Sequence, residues 1–206
     1  MEYKTLLETK FLTATDLLLP GGGHYYAASR KKSSEILALK TREELLAESA
    51  DAVTCYVVET GGPEPRLLLQ YEFRYPIGQF LLSPPAGLID AEDKKRPFPA
   101  VSAAVREIKE ECGVDVDPAR VRQLCAMAFC TAGLSDEANA LVCAEVDHIA
   151  EELLSHKGAE GTESFGEFVL LTKADAKKIL DNGVDPKGMY MPLHTMQAMQ
   201  YFLLNF

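Results

Sequence analysis

The stretch Arg106-Glu107-Ile108-Lys109-Glu110-Glu111-Cys112-Gly113-Val114 decides how the rest of this chain is interpreted. Apolar residues before and within this stretch recur at spacings of four, three and four, as on one side of a helix: Val101, Val105, Ile108 and Cys112. Pro99 suits the first turn of a helix, and Gly113 suits its C-terminal cap. We therefore predict an amphipathic helix from about Ala100 to Cys112, with its apolar side on the core.

Three glutamates of this helix form the main chemical signal. Glu107, Glu110 and Glu111 are three and four positions apart, which predicts that they converge on one face, opposite the apolar side. Like charges so close together destabilise a helix, whereas a hard divalent cation bound between carboxylates removes the repulsion. Arg106, four residues before Glu110, can hold that carboxylate in place. A solvated acidic helix face is the alternative for any single glutamate pair.

Strand and helix patterns alternate on both sides of this segment. Residues 41–49 predict a short helix, which the capping box of Thr41 and Glu44 begins. The further strand predictions are 52–60, 66–71, 123–130, 140–146 and 167–171, and the further helix predictions are 174–180 and 193–204. No repeat or low-complexity linker divides the chain. The pattern predicts a single α+β domain.

Composition narrows the class of function. The 206 residues carry a net charge of −10, so no basic surplus for binding nucleic acid is present. An acidic protein that acts on an anionic substrate needs cations to offset the repulsion. The five cysteines are odd in number and lack zinc-site spacing, which favours free thiols in a reducing compartment. Because the N-terminus has neither a signal-peptide core nor a long apolar run, we expect a cytoplasmic protein without membrane contacts.

The acidic helix resembles a known family motif. REIKEECGV is similar to the core of the Nudix box, R-E-hydrophobic-x-E-E-x-G-hydrophobic, and has every fixed position of it. Upstream, PAGLID at 85–90 resembles the ADP-ribose pyrophosphatase branch of that superfamily. The resemblance implies a mixed β-sheet between α-helices. It also implies a β-rich extension over residues 1–50, a hydrolase domain over 51–206 and a homodimer.

The chain departs from the family pattern in two places. Gly87 and Arg106 are 19 positions apart, where the pattern has 14, so the segment 93–99 contains an insertion. Asp93 stands at the spacing of the upstream glutamate of the box, and we assign it no role. Ser83 stands where the family commonly has a glutamate, so one acidic group is missing.

The resemblance also implies roles for individual residues. The metal ligands, for Mg²⁺ or Mn²⁺, are the main-chain carbonyl of Ala86 and the side chains of Glu107, Glu110 and Glu111. Arg106 orients the carboxylates and Glu110 assists catalysis, while Glu167 positions or deprotonates the attacking water, with Glu163 as second candidate. The substrate-binding residues are Arg74, Tyr25, Arg30, Gly133 and Ser135.

The expected activity is cleavage of the diphosphate bridge in a nucleoside-diphosphate derivative. ADP-ribose is the leading substrate, with AMP and ribose 5-phosphate as products. Two alternatives stay open: a Nudix hydrolase for another nucleotide sugar or dinucleotide, and a catalytically silent sensor of such a ligand. Dependence of turnover on a metal discriminates the enzymes from the sensor.

Overall fold

A computed structural model describes residues 1–159 and 163–206. The strands are β1 (Glu2–Glu8), β2 (Thr13–Leu18), β3 (His24–Ser29), β4 (Ala52–Glu59), β5 (Arg66–Arg74), β6 (Gln79–Ser83), β7 (Ala86–Leu88), β8 (Val121–Phe129), β9 (Ala138–Val146) and β10 (Phe165–Leu171). The α-helices are α1 (Arg42–Leu46), α2 (Pro99–Cys112), α3 (Lys173–Asn182) and α4 (Leu193–Asn205). No helix in the described part of the chain is both long and apolar enough to cross a membrane.

The described residues form two compact units, and the first comprises Met1–Asp51 together with Ala126–Ala140. Its antiparallel sheet has the order β1-β2-β3. Gly21 and Gly22 close the hairpin between β2 and β3 with φ angles of 91° and 87°, which only glycine adopts easily. The sequence did not indicate that residues 126–140 join the N-terminal ones, and the domain boundary after residue 50 stays a prediction.

The second unit comprises Ala52–Cys125 and Leu141–Phe206. Its strands follow the order β10-β5-β4-β9-β8, with β6 beside β5 and β7 beside β4. Strand β4 is buried along its whole length, so both of its faces are covered. Burial, and then the charges of Glu111 and Glu107, raise the pKa of the Cys55 thiol, which therefore faces α2. Tyr56 packs on Tyr201 of α4, with ring centroids 5.6 Å apart. The expected α+β fold with helices on both faces of the sheet is confirmed.

Helix α2 begins and ends as the sequence predicts. Pro99 occupies its first turn, and Gly113 follows it in the left-handed conformation with a φ of 74°. The N–H group of Gly113 donates a hydrogen bond of 2.9 Å to the carbonyl of Lys109. This cap satisfies a carbonyl that a helix end otherwise leaves without a partner.

The buried side of α2 differs from the prediction. Val101 and Val105 are only half-buried, while small alanines such as Ala104 pack without exposure. Glu107 and Glu111 are buried as well, at 7% and 2% exposure. The expectation that these two acids lie opposite the buried side is therefore wrong. Alanines bring the helix close to β4 and β7, and this close approach encloses the neighbouring glutamates.

Candidate active site

Glu111 is the most enclosed acid of α2. The side-chain amide of Gln70, on β5, donates a hydrogen bond of 2.6 Å to its Oε2 atom. The main-chain N–H group of Ala86, on β7, donates to the same oxygen at 3.2 Å. Two strands of the sheet therefore fix this carboxylate, and the main chain of Ala86 lies directly beside it.

The charge of Glu111 is poorly compensated by these two neutral donors. Burial raises the pKa of Glu111 to about 9, and the charges of Glu72 and Glu107 add to the rise. The hydrogen bonds from Ala86 and Gln70 oppose it. The ionised form of such an acid is favoured only when a further positive charge binds beside it, in addition to those of the described residues.

Glu107 lies against Gly87 of β7, within the PAGLID segment. A Cβ atom at Gly87 would overlap the carboxyl group of Glu107, so only glycine permits this approach. Burial raises the pKa of Glu107 to about 7 against the opposing effect of Arg106, and the charges of Glu110 and Glu163 add to the rise. The glycine at this position thus brings a carboxylate and the main chain of the loop together.

Arg106 organises the exposed side of the acidic cluster. Its Nη1 atom donates to Glu107 Oε1 at 2.8 Å and to Glu110 Oε2 at 2.9 Å. Its Nη2 atom donates to the carbonyl of Leu88 at 2.9 Å and to Asp93 Oδ2 at 2.8 Å. The contact predicted between Arg106 and Glu110 is present, and the guanidinium also ties α2 to the loop that precedes it.

Asp93 has a defined place even though the sequence assigned it no role. Its side chain is only 6% exposed and its carboxylate is held by Arg106. The main-chain N–H group of Asp93 donates to Asp90 Oδ1 at 3.0 Å, which ties the start of the insertion to the end of the PAGLID segment. The first residue of the segment 93–99 is therefore part of the cluster, whereas Lys94 and Phe98 are exposed.

Glu72 is an acid near this cluster that the sequence interpretation missed. Side chains alternate along β5, so Gln70, Glu72 and Arg74 share the face that Gln70 presents to Glu111. The Arg74 guanidinium lies 2.6 Å from the Glu72 carboxylate. Burial raises the pKa of Glu72, Arg74 opposes the rise and Glu163 adds to it. The sequence did contain a signal for this polar face, because three polar residues occupy every second position of a buried strand. Arg74, predicted to meet phosphate, is held by this acid.

The two candidates for the late glutamate lie in different surroundings. Glu167, the first choice, is 61% exposed and its carboxylate lies 2.7 Å from Lys187 Nζ. The Lys187 ammonium stands over the ring of Tyr71, 3.7 Å from its centroid, and Tyr71 points to the face of β5 opposite Gln70. Glu163 instead acts electrostatically on Glu72 and Glu107. This electrostatic effect favours Glu163 over Glu167 as the late acid near α2.

The predicted substrate-binding residues of the first unit come from two segments, one at β3 and one in the loop 131–137. The structure brings these two segments together. The Tyr25 hydroxyl donates a hydrogen bond of 2.6 Å to the carbonyl of Gly133. Ser135 pairs with Ala28 of β3 as an isolated parallel bridge. Arg30 forms an ion pair with Glu137 from the same loop. The loop 131–137 and strand β3 thus make one polar surface within this unit.

A divalent cation fits the chemistry of the α2 cluster. Within 1–159 and 163–206, no three side chains of His, Cys, Asp or Glu already stand as a ligand set. Arg106 engages the carboxylates of Glu107 and Glu110 instead, and a cation would compete with it for these oxygens. Carboxylates and a main-chain carbonyl are nevertheless the donors that Mg²⁺ and Mn²⁺ prefer. The undercompensated charge of Glu111 would favour such binding.

Comparison with known proteins agrees with this kind of site. The chain is 36% identical over 105 residues to a protein of Caenorhabditis elegans named nudix hydrolase 2, a match that covers 50% of this chain and 44% of the relative. It is 35% identical over 79 residues to an uncharacterized Nudix hydrolase of Schizosaccharomyces pombe, covering 38% of this chain and 35% of the relative. The matches thus span less than half the length of either relative. No family model matches the chain.

The fold places a mixed β-sheet between helices, and one of these helices carries buried glutamates beside the glycine of β7. This arrangement suits hydrolysis that is assisted by a cation. The two matched proteins are both named as Nudix hydrolases, which supports the Nudix superfamily for this chain. Neither name specifies a substrate.

Proposed function

We propose that this chain hydrolyses the diphosphate bridge of a nucleoside-diphosphate derivative in a metal-dependent reaction. ADP-ribose is the proposed substrate, with AMP and ribose 5-phosphate as products. One observation carries the proposal: Glu107 and Glu111 are buried side by side on α2 without a full set of compensating charges. Burying carboxylates without full charge compensation destabilises a fold, so a cation that binds them is the simplest reason for their presence.

The proposed ligands of Mg²⁺ or Mn²⁺ are the carbonyl of Ala86 and the side chains of Glu107, Glu110 and Glu111. When bound, such a cation lowers the pKa of a water molecule and neutralises phosphate oxygens. Gln70 holds the Glu111 carboxylate against the sheet, so this carboxylate needs little reorganisation to bind the cation.

The remaining roles belong to residues around the cluster. Arg106 spans Glu107, Glu110 and the loop carbonyl of Leu88, and thereby orients the carboxylates. We assign the attacking water to Glu163, because its charge acts on both Glu107 and Glu72. The sequence alone had favoured Glu167, with Glu163 as the second candidate.

Substrate recognition is proposed for two groups of residues. Arg74 is suited to a phosphate because a guanidinium matches its oxygens in a bidentate way, and Glu72 keeps the guanidinium oriented. In the first unit, Tyr25, Arg30, Gly133 and Ser135 are the proposed contacts to the nucleoside part. A homodimer in the cytoplasm remains the expected state of the protein.

A catalytically silent sensor is the second candidate, and two observations favour it. Ser83 stands where the family commonly has an acid, and Arg106 engages two of the proposed ligands. A sensor would bind ADP-ribose but would not turn it over with any divalent cation. An enzyme for another nucleotide sugar would turn over a different member of a substrate panel.

A hydrolysis screen tests these candidates together. Purified protein with Mg²⁺ or Mn²⁺ is incubated with ADP-ribose, ADP-glucose, GDP-mannose, NADH, coenzyme A, diadenosine polyphosphates and dNTPs, and products are identified by mass. The proposal expects AMP and ribose 5-phosphate from ADP-ribose at the highest kcat/KM. Binding of ADP-ribose without turnover of any compound would support the sensor, and preference for another compound would reject ADP-ribose.

A further inference from the structure

His156 connects the end of the acidic helix to a distant strand. Its Nδ1 atom lies 2.6 Å from the carbonyl oxygen of Glu111, in the last turn of α2. Its Nε2 atom lies 3.0 Å from the carbonyl oxygen of Gly166, on β10. A neutral ring donates to one of these carbonyls, at whichever nitrogen carries the proton, and only the doubly protonated ring donates to both. One side chain therefore bridges two main-chain segments that are far apart in sequence.

Aromatic rings fix the orientation of this imidazole. The Phe168 ring stacks on it with centroids 4.0 Å apart and an interplanar angle of 19°. The Phe165 ring also stacks on it, at 4.7 Å and 12°. Because packing sets the plane of the ring, both nitrogens are directed at the carbonyl oxygens without further ordering.

The residues around His156 lie tightly on the last turn of α2. The N–H group of Ser155 donates a hydrogen bond of 3.2 Å to the carbonyl of Cys112. A Cβ atom added to Gly158 would come within 2.7 Å of the Glu110 Cα atom, so this position has room only for glycine. Residues 155–158 thus cover the helix end that carries two of the proposed ligands.

The chain is anchored again just after Glu163. The N–H group of Phe73 on β5 donates a hydrogen bond of 2.8 Å to the carbonyl of Ser164. Phe165 then pairs with Glu72 in the sheet. Glu163 stands immediately before these contacts, and its charge acts on Glu72 and Glu107. The contacts of His156 to α2 and to β10 therefore lie on either side of Glu163 in the sequence.

We infer that His156 is a positioning residue, which fastens the chain that bears Glu163 to the C-terminal end of α2. It acts through Glu163, by setting the distance between that carboxylate and the carboxylates of the helix. This inference rests on the proposed function, in which Glu163 handles the attacking water. The competing explanation is that His156 only caps α2, by donating to a carbonyl in its last turn.

A double-mutant cycle separates positioning from capping. His156→Phe keeps an aromatic ring for stacking and removes both ring nitrogens that face the carbonyls, and Glu163→Gln removes the charge of the acid. We expect His156→Phe to lower kcat for ADP-ribose by about 10- to 100-fold with KM nearly unchanged, because misplacing a catalytic group is costly. In the Glu163→Gln background, the same substitution should have little further effect on kcat. Equal losses in both backgrounds, or no loss in wild type, would overturn the inference.

Amide hydrogen exchange provides a readout that does not depend on activity. In His156→Phe, exchange at the Phe73 amide, which bonds to Ser164, should accelerate while the midpoint of thermal unfolding shifts by only a few degrees. Unchanged exchange there would refute the fastening role. If wild type turns over no substrate, the proposed function fails, and the exchange result still decides the role of His156. Should His156→Phe not fold, His156→Gln, which retains one donor, takes its place in both measurements.

Discussion

The acidic helix of the second unit and the polar surface of the first unit differ in how deeply their charged side chains are buried. On α2, Glu107 and Glu111 are buried, and burial raises their pKa values to about 7 and about 9. In the first unit, Arg30 and Glu137 form an ion pair with side chains 46% and 30% exposed. Exposed pairs contribute little to stability, whereas buried carboxylates oppose folding. The difference is consistent with our proposal that α2 carries the chemistry and the first unit contributes to recognition.

The largest expected effect follows from removing the charge of Glu111. Glu111→Gln keeps the shape of the side chain, so kcat for ADP-ribose should fall by roughly 10²- to 10⁴-fold if this carboxylate holds the metal. The midpoint of thermal unfolding without metal should stay the same or rise, because the neutral amide replaces an acid whose ionisation is opposed by burial. Steady-state kinetics and thermal melts check the two parts.

The matched control for this variant is Glu43→Gln on α1, where the glutamate is exposed. It should leave kcat unchanged. Wild-type activity in Glu111→Gln would exclude Glu111 as a ligand. A large loss of stability in that variant would show that the charge of Glu111 supports the fold, and the contrast between the two regions would disappear.

The two late glutamates provide the next test. Glu163→Gln should lower kcat by about 10- to 1000-fold with KM within a few-fold, the pattern of an interaction made mainly in the transition state. Glu167→Gln serves as its control, since it only breaks the exposed pair with Lys187 and should change kcat by less than about threefold. The reverse result would return the role to Glu167, as the sequence predicted.

The first unit should affect binding more than catalysis. Tyr25→Phe removes the hydrogen bond to the carbonyl of Gly133 and keeps the ring. We expect KM for ADP-ribose to rise by about three- to tenfold, the equivalent of one hydrogen bond, with kcat unchanged. A drop in kcat at constant KM would contradict the assignment of recognition to this unit.

A smaller effect concerns a buried base in the second unit. Burial, with a contribution from the charge of Arg74, lowers the pKa of His194 to about 4. The unfolded chain binds this proton near pH 6.5, so the unfolded state gains protons first as the pH falls. The contribution of His194 to stability is therefore complete above pH 6.5 and declines toward pH 4, by up to about 1.4 kcal/mol per pH unit.

Denaturant melts of wild type and His194→Phe between pH 7 and pH 4 measure this contribution as a difference. The phenylalanine fills the same space and does not titrate. The free energy of unfolding should therefore fall less steeply with decreasing pH in the variant. Parallel curves would mean that His194 does not stay neutral in the folded state.

Local signals made much of the fold predictable. Helix α2 was bounded correctly because Pro99 and Gly113 act through the backbone of their own neighbourhood. Its buried face was predicted less well, since periodicity favoured Val101 and Val105, whereas close packing on β4 and β7 selected the alanines. Tertiary packing, which a helical period does not encode, decided which side was covered.

The site was predictable only where one short segment contains it. The glutamates of α2 and Arg106 lie within six residues, and their contacts follow from helical spacing. Glu72 and His156 reach the same helix from β5 and from the chain before β10. Tertiary packing brings them there, and a single sequence does not reveal it. The sequence could not decide between Glu163 and Glu167, because Glu167 lies in β10 beside an irregular register between Phe165 and Phe168, whereas Glu163 precedes that strand.

The measurement that tests the central claim most directly is turnover of ADP-ribose by chelator-treated protein as Mg²⁺ or Mn²⁺ is added back. We predict no AMP in excess EDTA, and recovery of AMP and ribose 5-phosphate as the cation is restored. The cation should also raise the midpoint of thermal unfolding of wild type, because it binds the folded state, and should do so much less in Glu111→Gln. Full turnover in excess chelator would contradict the claim that the carboxylates of α2 form a catalytic cation site.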